Sequence, residues 1–285
     1  MKTAVVIDSG SNYYNESVNM DGLFAIPLQI IHGDESFLET VTISIDEVND
    51  LLSKNEMLQT SLPVLGQIEE LFQDIKKQGY DKILAIPITA GISGTIDAFY
   101  AAAKFVGIDI EVIDCYTTAW IELELGIAAR TLLDAGHSIE TIKERFQESI
   151  HHSDTFIIPD NLDHLARGGR LSPLAAKLGG FLKIKPILHL NESTKGVIDP
   201  FEKVRTMSKA IDTVIETMKN EGVGQGYLIV IANVVAPELA ESTLLKMKEA
   251  FPDAVFVNEK LVPTVSVHVG VGSIAMQYMK LPNLT

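Results

Sequence analysis

Short apolar runs alternate with stretches of helical period along most of the chain. Thr3-Ala4-Val5-Val6-Ile7 is continuously apolar after its first residue and predicts a buried strand, closed by the polar turn Asp8-Ser9-Gly10-Ser11-Asn12. Phe24 to Ile31 predicts another strand, with a turn at His32-Gly33-Asp34. Ser44 and Glu47 have the spacing of a capping box and should open a short helix. Gln59-Thr60-Ser61-Leu62-Pro63 reads as a polar turn, and Leu65, Ile68, Leu71, Phe72 and Ile75 then share one helical face that ends at Gly79. Lys82 to Ile88 is a strand, Ile96 to Ala103 the start of a helix closed by Gly107, and Ile108 to Ile113 a further strand. Helices follow from about Ala119 to Leu133 and from Ser138, the second turning Ile139, Ile142, Phe146 and Ile150 inward.

The second half repeats the alternation. Thr155 to Pro159, Tyr227 to Ile231 and Ala254 to Val257 predict strands; Met207 to Met218 and Pro237 to Ala250 predict helices. Such order implies an α/β fold with largely parallel sheets flanked by helices. The junction His151-His152-Ser153-Asp154 divides the chain into expected domains of 1–152 and 153–285, with a tail that can pack back on the first lobe.

Several strand ends carry polar turns, where α/β sheets bind ligands. At Thr89-Ala90-Gly91-Ile92-Ser93-Gly94-Thr95 a strand passes through a tight loop into a helix. Unpaired amides and the positive dipole end at a helix start favour an anion. Gly91 and Gly94 allow close approach, and Ser93 and Thr95 supply hydroxyls. The same residues equally fit a plain N-cap. Thr60 and Ser61 are either caps for the helix behind Pro63 or partners of Ser93. Leu162 to Gly169 predicts a short helix stopped at Gly168-Gly169, with Arg170 on the following turn and a new start at Ser172-Pro173. A guanidinium beside two glycines suits paired hydrogen bonds to a carboxylate or phosphate, or it is a surface arginine. Leu174 to Leu188 is either core or one wall of an apolar pocket, with Gly179-Gly180 permitting close approach. His268 lies among apolar residues before Gly270 and Gly272 and is either a core histidine or a site residue.

The 285 residues, 46% hydrophobic and 21% charged, suit a globular protein, and the formal net charge of −15 argues against nucleic acid as a partner. The single cysteine, Cys115, suits a reducing compartment. No signal-peptide pattern or membrane-spanning stretch is evident, so a cytoplasmic location without stable membrane insertion is expected. His151 and His152 lack the i, i+4 spacing of a helical metal pair, and no metal site is expected.

These segments, in their order and spacing, resemble the DegV family of fatty-acid-binding proteins over nearly the whole chain. The resemblance rests on Asp8-Ser9, Thr60-Ser61-Leu62-Pro63, Gly91-Ile92-Ser93-Gly94-Thr95, Leu162 through Arg170, Ile184-Lys185-Pro186-Ile187-Leu188, Glu202-Lys203-Val204-Arg205-Thr206 and His268-x-Gly270-x-Gly272. Val64, Ala90, Cys115 and Val271 depart from the family pattern and bear on head-group hydrogen bonding. The resemblance implies a two-lobed fold with a long-chain fatty acid buried between the lobes. It implies that Thr60, Ser61, Gly91, Ser93, Gly94, Arg170 and His268 gather at the carboxylate. A phosphorylated head would add charge, which Arg170 and a protonated His268 are expected to tolerate. The implied role is that of a carrier without cofactor or catalytic residues of its own. It presents the acid to a separate fatty acid kinase subunit and retains the acyl phosphate. Arg167, Lys203 and Arg205 are candidates for docking that partner, or are solvated charges on turns.

Two other classes compete. Ser93 as nucleophile with His268 as base would make a serine hydrolase or acyltransferase, although Thr95 stands where the Gly-x-Ser-x-Gly elbow has its last glycine. A phosphosugar- or nucleotide-binding domain could use the same loop, but neither the P-loop nor the dinucleotide fingerprint is present.

Overall fold

The structure is a computed structural model that describes residues 2–16, 18–176 and 184–285. The chain opens with β1 (Thr3–Asp8), buried throughout, and a 3₁₀ turn at Ser9–Ser11 in which the Asp8 side chain accepts from the Gly10 amide. The single strand expected over Phe24–Ile31 is two strands, β2 (Leu23–Ile26) and β3 (Gln29–His32), in different sheets. Pro27, between them, has no N–H to give to a ladder. β4 (Glu35–Leu38) pairs with β3, and α1 (Ile45–Ser53) starts at the capping box of Ser44 and Glu47 that the spacing predicts.

The expected turn at Gln59–Pro63 is instead mostly strand. β5 (Leu58–Ser61) pairs antiparallel with β3, and Thr60 stands opposite Ile30. Helix α2 (Leu65–Lys77) has Val64 as its N-cap, so neither Thr60 nor Ser61 caps it. The sequence β6 (Lys82–Ala85), α3 (Thr95–Val106), β7 (Asp109–Val112) follows the predicted strand–loop–helix–strand order. Helix α4 (Trp120–Asp134) comes next. Helix α5 (Ile139–His151), capped by Ser138, buries Ile139, Ile142, Phe146 and Ile150 and keeps His151 in its last turn.

The rest of the chain runs through β8 (Ser153–Ile158), α6 (Asp163–Gly168), α7 (Pro173–Ala176), β9 (Lys185–Leu190) and β10 (Asp199–Val204). It then continues through α8 (Met207–Asn220), β11 (Tyr227–Asn233), α9 (Pro237–Ala250), β12 (Val255–Lys260), α10 (Pro263–Val269) and β13 (Ile274–Lys280). Residues 177–183, which include Gly179 and Gly180 and the middle of the apolar run read as a possible pocket wall, lie outside the described residues.

Two main sheets result. The first, in the order β2-β1-β6-β7, is parallel throughout. The second has the order β10-β9-β8-β13-β11-β12, and only β11 and β12 run parallel within it. The parallel arrangement predicted from the alternation therefore holds for the first sheet, while the second is mixed. The reason is local: β9 and β10 form a hairpin through Asn191–Gly196, and the last strand, β13, inserts between β8 and β11. A small antiparallel sheet, β4-β3-β5, completes the set.

One core cluster joins this small sheet to the second sheet, with Ile30, Val48, Leu52 and Leu58 packed together with Ile157, Leu165, Leu188 and Val267. Helices α6 and α10 contribute Leu165 and Val267 to that seam, which is where the site forms. Among the described residues no helix is long and apolar enough to cross a membrane.

Candidate functional site

Helices α6 and α10 are interlocked by two glycine–histidine contacts. A Cβ built on Gly168 would stand 2.2 Å from Nδ1 of His268, and one on Gly270 would stand 2.5 Å from Cδ2 of His164. Each helix thus lays a histidine ring where only a glycine leaves room on the other element. This gives the Gly-Gly-Arg turn and the His-x-Gly tail one shared structural cause. Gly169, at φ 67°, then turns the chain so that Arg170 follows α6, its Nη1 donating to the Gly168 carbonyl at 2.6 Å.

His268 reaches back to the small sheet, its Nε2 lying 2.7 Å from Oγ1 of Thr60 on β5. Burial above all, followed by the charge of Arg170 and by His164, lowers the imidazole pKa to about 4. Without an anion beside it, His268 is therefore neutral at neutral pH. Burial and the neighbouring Arg167 lower His164 in the same way.

Thr60, Ser61, Ser93, Gly94, Arg170 and His268 all line one cavity of about 490 Å³. That volume lies within the range usual for small-molecule sites. Leu28, Leu62, Ile88, Leu165, Ile198 and Val269 form much of its remaining wall. Residues far apart in sequence thus share one cavity, with one exception among the candidates. Gly91 does not line the cavity; a Cβ there would lie 2.2 Å from the backbone carbon of Gly196. Its glycine is needed for the close approach of the β9–β10 turn, and its amide donates to Thr89 Oγ1 at 3.3 Å.

The loop before α3 differs from a bare anion-binding helix start. The amides of Ile92 and Ser93 both donate to the Thr89 carbonyl, and that of Ala90 donates to Asp114 Oδ2. The N-cap is Gly94, without a side-chain cap bond, so neither Ser93 nor Thr95 is the cap. Ser93 Oγ lies 2.8 Å from Thr95 Oγ1 and accepts from the Thr95 amide at 3.3 Å. The Ser93 hydroxyl lines the cavity, while the amides of Ile92 and Ser93 are spent on Thr89 within the loop. The geometry also bears on the hydrolase reading, since Ser93 is bonded to Thr95 whereas His268 is bonded to Thr60.

The sequence reading missed Leu28, Asp97, Ile198, Thr264 and Val265, which also line the cavity. Pro263 at the first position of α10 was the only local signal for Thr264. Behind the cavity lies a buried acidic cluster, also missed. Glu39 accepts from the Thr264 amide at 2.6 Å and from the Ser9 hydroxyl. Asp8 accepts from the amides of Gly10 and Ile88, and Glu122 accepts from the Asp8 amide and from Thr118 Oγ1. Burial pushes Asp8 up to about 7 and raises Glu39 and Glu122.

Of the candidate partner-docking residues, Arg167 lines a second, smaller cavity, called outer for its exposed Glu56, Met57, Gln59 and Arg167, while Lys203 and Arg205 line neither it nor the first, inner one. Among the described residues no group of three or more His, Cys, Asp or Glu side chains could hold a metal ion.

Comparison with known proteins agrees with this architecture. The sequence model described as "Uncharacterised protein, DegV family" matches residues 2–281. A DegV domain-containing protein of Streptococcus pneumoniae is 31% identical, with 98% of this chain and 99% of the relative covered. DegV of Bacillus subtilis, solved as a fatty acid binding protein, superposes with a TM-score of 0.86 at 28% identity, over 98% of this chain and 99% of the other. A fatty acid binding DegV family protein of Streptococcus agalactiae gives a TM-score of 0.87 at 29% identity, with 99% of each chain covered. The chain belongs to the DegV family.

Proposed function

We propose that the protein binds a long-chain fatty acid in the inner cavity, with the carboxylate held at the polar wall of Thr60, Ser61, Ser93, Arg170 and His268. The observation that carries this reading is the convergence of hydroxyls, a guanidinium and an imidazole from separated segments on one cavity otherwise lined largely by aliphatic side chains. The solved relatives described as fatty acid binding support it. Burying on the order of 14 methylenes is worth roughly 11 kcal/mol gross. Tail ordering and lost translational freedom offset much of that. The tail therefore supplies most of the affinity, while the wall fixes orientation. An ionised carboxylate is not buried without partners, and Arg170 with the hydroxyls supplies them. A carboxylate beside His268 also favours its charged form, so binding takes up a proton.

The bound acid is presented, in this reading, to a separate fatty acid kinase subunit, and the acyl phosphate stays on the carrier. Lys203 and Arg205, both exposed at the end of β10, are assigned to that docking. The chain itself transfers no phosphate and uses no cofactor, and the two expected domains, 1–152 and 153–285, enclose the lipid.

Mass spectrometry of freshly purified protein under native and then denaturing conditions tests the binding. A fatty acid released on denaturation is expected, and a bare chain that also takes up no added palmitate refutes the reading. In Ser93→Ala/Arg170→Ala, palmitate affinity should drop at least about tenfold, the loss of one hydrogen bond to a charged group. Arg205→Glu should keep palmitate and lose phosphorylation by the kinase subunit; unchanged phosphorylation rules out that docking residue.

A further inference from the structure

The polar wall of the inner cavity has a second side. Thr60, Arg170 and His268 also line the outer cavity, of about 170 Å³, together with Gln59, His164 and Arg167. This space is too small for the drug-sized ligands that fill pockets of about 300 Å³ and more. At roughly 30 Å³ per water it holds a few waters or one small polyatomic ion.

Its charge is one-sided. Among the described residues Arg170 donates to the Gly168 carbonyl alone, and Arg167 makes no hydrogen bond or ion pair. The one carboxylate on the cavity, Glu56, is drawn to His32 at 3.5 Å. Two arginines therefore meet on one small cavity without a carboxylate partner, in a chain of formal net charge −15. An arginine keeps its charge at any working pH and carries five donors in a fork that fits an oxyanion. The lowered pKa values of His164 and His268, set partly by Arg167 and Arg170, agree with this local excess of positive charge.

We propose that the outer cavity is a binding site for a phosphoryl oxyanion, held by Arg167 from outside and by Arg170 from the shared wall. The group has two possible sources: free inorganic phosphate, or the phosphoryl end of an acyl phosphate whose chain fills the inner cavity. The second source rests on the fatty-acid reading; the first does not. Arg170 and His268 then sit at the boundary between carboxyl and phosphoryl positions, and Arg167 discriminates a phosphorylated head from a bare carboxylate.

Calorimetric titration tests the site with two probes, inorganic phosphate on lipid-free protein and hexadecyl phosphate against palmitate. The variant is Arg167→Gln, a change at an exposed position outside the inner cavity. Saturable phosphate binding to the wild type, weakened at least about tenfold in Arg167→Gln, supports the free-phosphate source. A preference of the wild type for hexadecyl phosphate over palmitate, reduced at least about tenfold in the variant while palmitate affinity is unchanged, supports the acyl-borne source. Equal behaviour of wild type and variant toward both probes, or no binding of either probe by the wild type, overturns the site. Failure of palmitate alone, with phosphate still bound through Arg167, overturns the fatty-acid reading and leaves the oxyanion site standing.

Discussion

Helix α10 connects two polar clusters of opposite character. Its first turn gives the Thr264 amide to Glu39, within the buried acidic cluster, and its last turn carries His268 into the cavity wall. In the acidic cluster each carboxylate accepts two hydrogen bonds, from amides or hydroxyls and never from a lysine or arginine. In the wall, among the described residues, Arg170 gives a single hydrogen bond to a carbonyl and the Arg167 fork stays unpaired. Both clusters perturb pKa values. The difference lies in what is left over. A buried polar group whose partners are complete fixes structure; one that keeps unused donors on a cavity is ready for a ligand.

The largest test of that contrast uses the opposite pH signs of the two clusters. His268 is held at about 4, below its ordinary 6.5. It contributes stability that is present above pH 6.5 and lost as pH falls through 4, up to roughly 3 kcal/mol. Asp8 is raised from 3.8 to about 7, so its contribution is full below pH 3.8 and lost as pH rises through 7. In His268→Gln, denaturant titrations from pH 4 to 7 should lack the acid-side loss while keeping the Asp8 trend. An unchanged pH profile in the variant breaks the comparison.

A smaller effect is expected from the glycine that seats the ring. Gly168→Ala sets a Cβ against His268, with an expected cost of about 1–3 kcal/mol for overpacking. The denaturation midpoint should fall and palmitate affinity with it. If both hold, the interlock of α6 and α10 is not what positions the wall.

The smallest change sharpens the acidic side. Glu39→Gln keeps one carbonyl oxygen for the Thr264 amide but alters the bond from Ser9, with an expected loss of about 1 kcal/mol. Palmitate affinity should drop modestly, because the anchor of α10 is weakened on its Ser9 side while no wall residue changes. Wild-type stability and affinity in this variant would show that Glu39 does not position α10.

Much of this was legible in the sequence where a local rule sufficed. Apolar runs and capping residues placed β1, α1, α5 and α9, and the glycine-flanked Ser93 and Arg170 were picked out by chemistry that acts within a few residues. Two strands stayed hidden where pairing decided. Gln59 to Ser61 looks like a turn because it is polar, yet pairing with β3 makes it strand. Phe24 to Ile31 looks like one strand because it is apolar, yet Pro27 splits it between sheets. Gly91 illustrates the limit for single residues. A glycine in a strand-end loop invites a ligand, and only the approach of Gly196 shows that backbone fills its space.

By itself the sequence determined the α/β alternation, the family, and which side chains are chemically able to hold an anion, because propensity, period and residue type act locally. Tertiary structure alone decided that β13 returns to the middle of the second sheet, that Thr60 rather than Ser93 bonds His268, and that Glu39 anchors the helix carrying it. It also decided that Thr60, Arg170 and His268 face two cavities rather than one. Those outcomes depend on contacts between segments far apart in the sequence, where packing and burial set partner, charge state and available space.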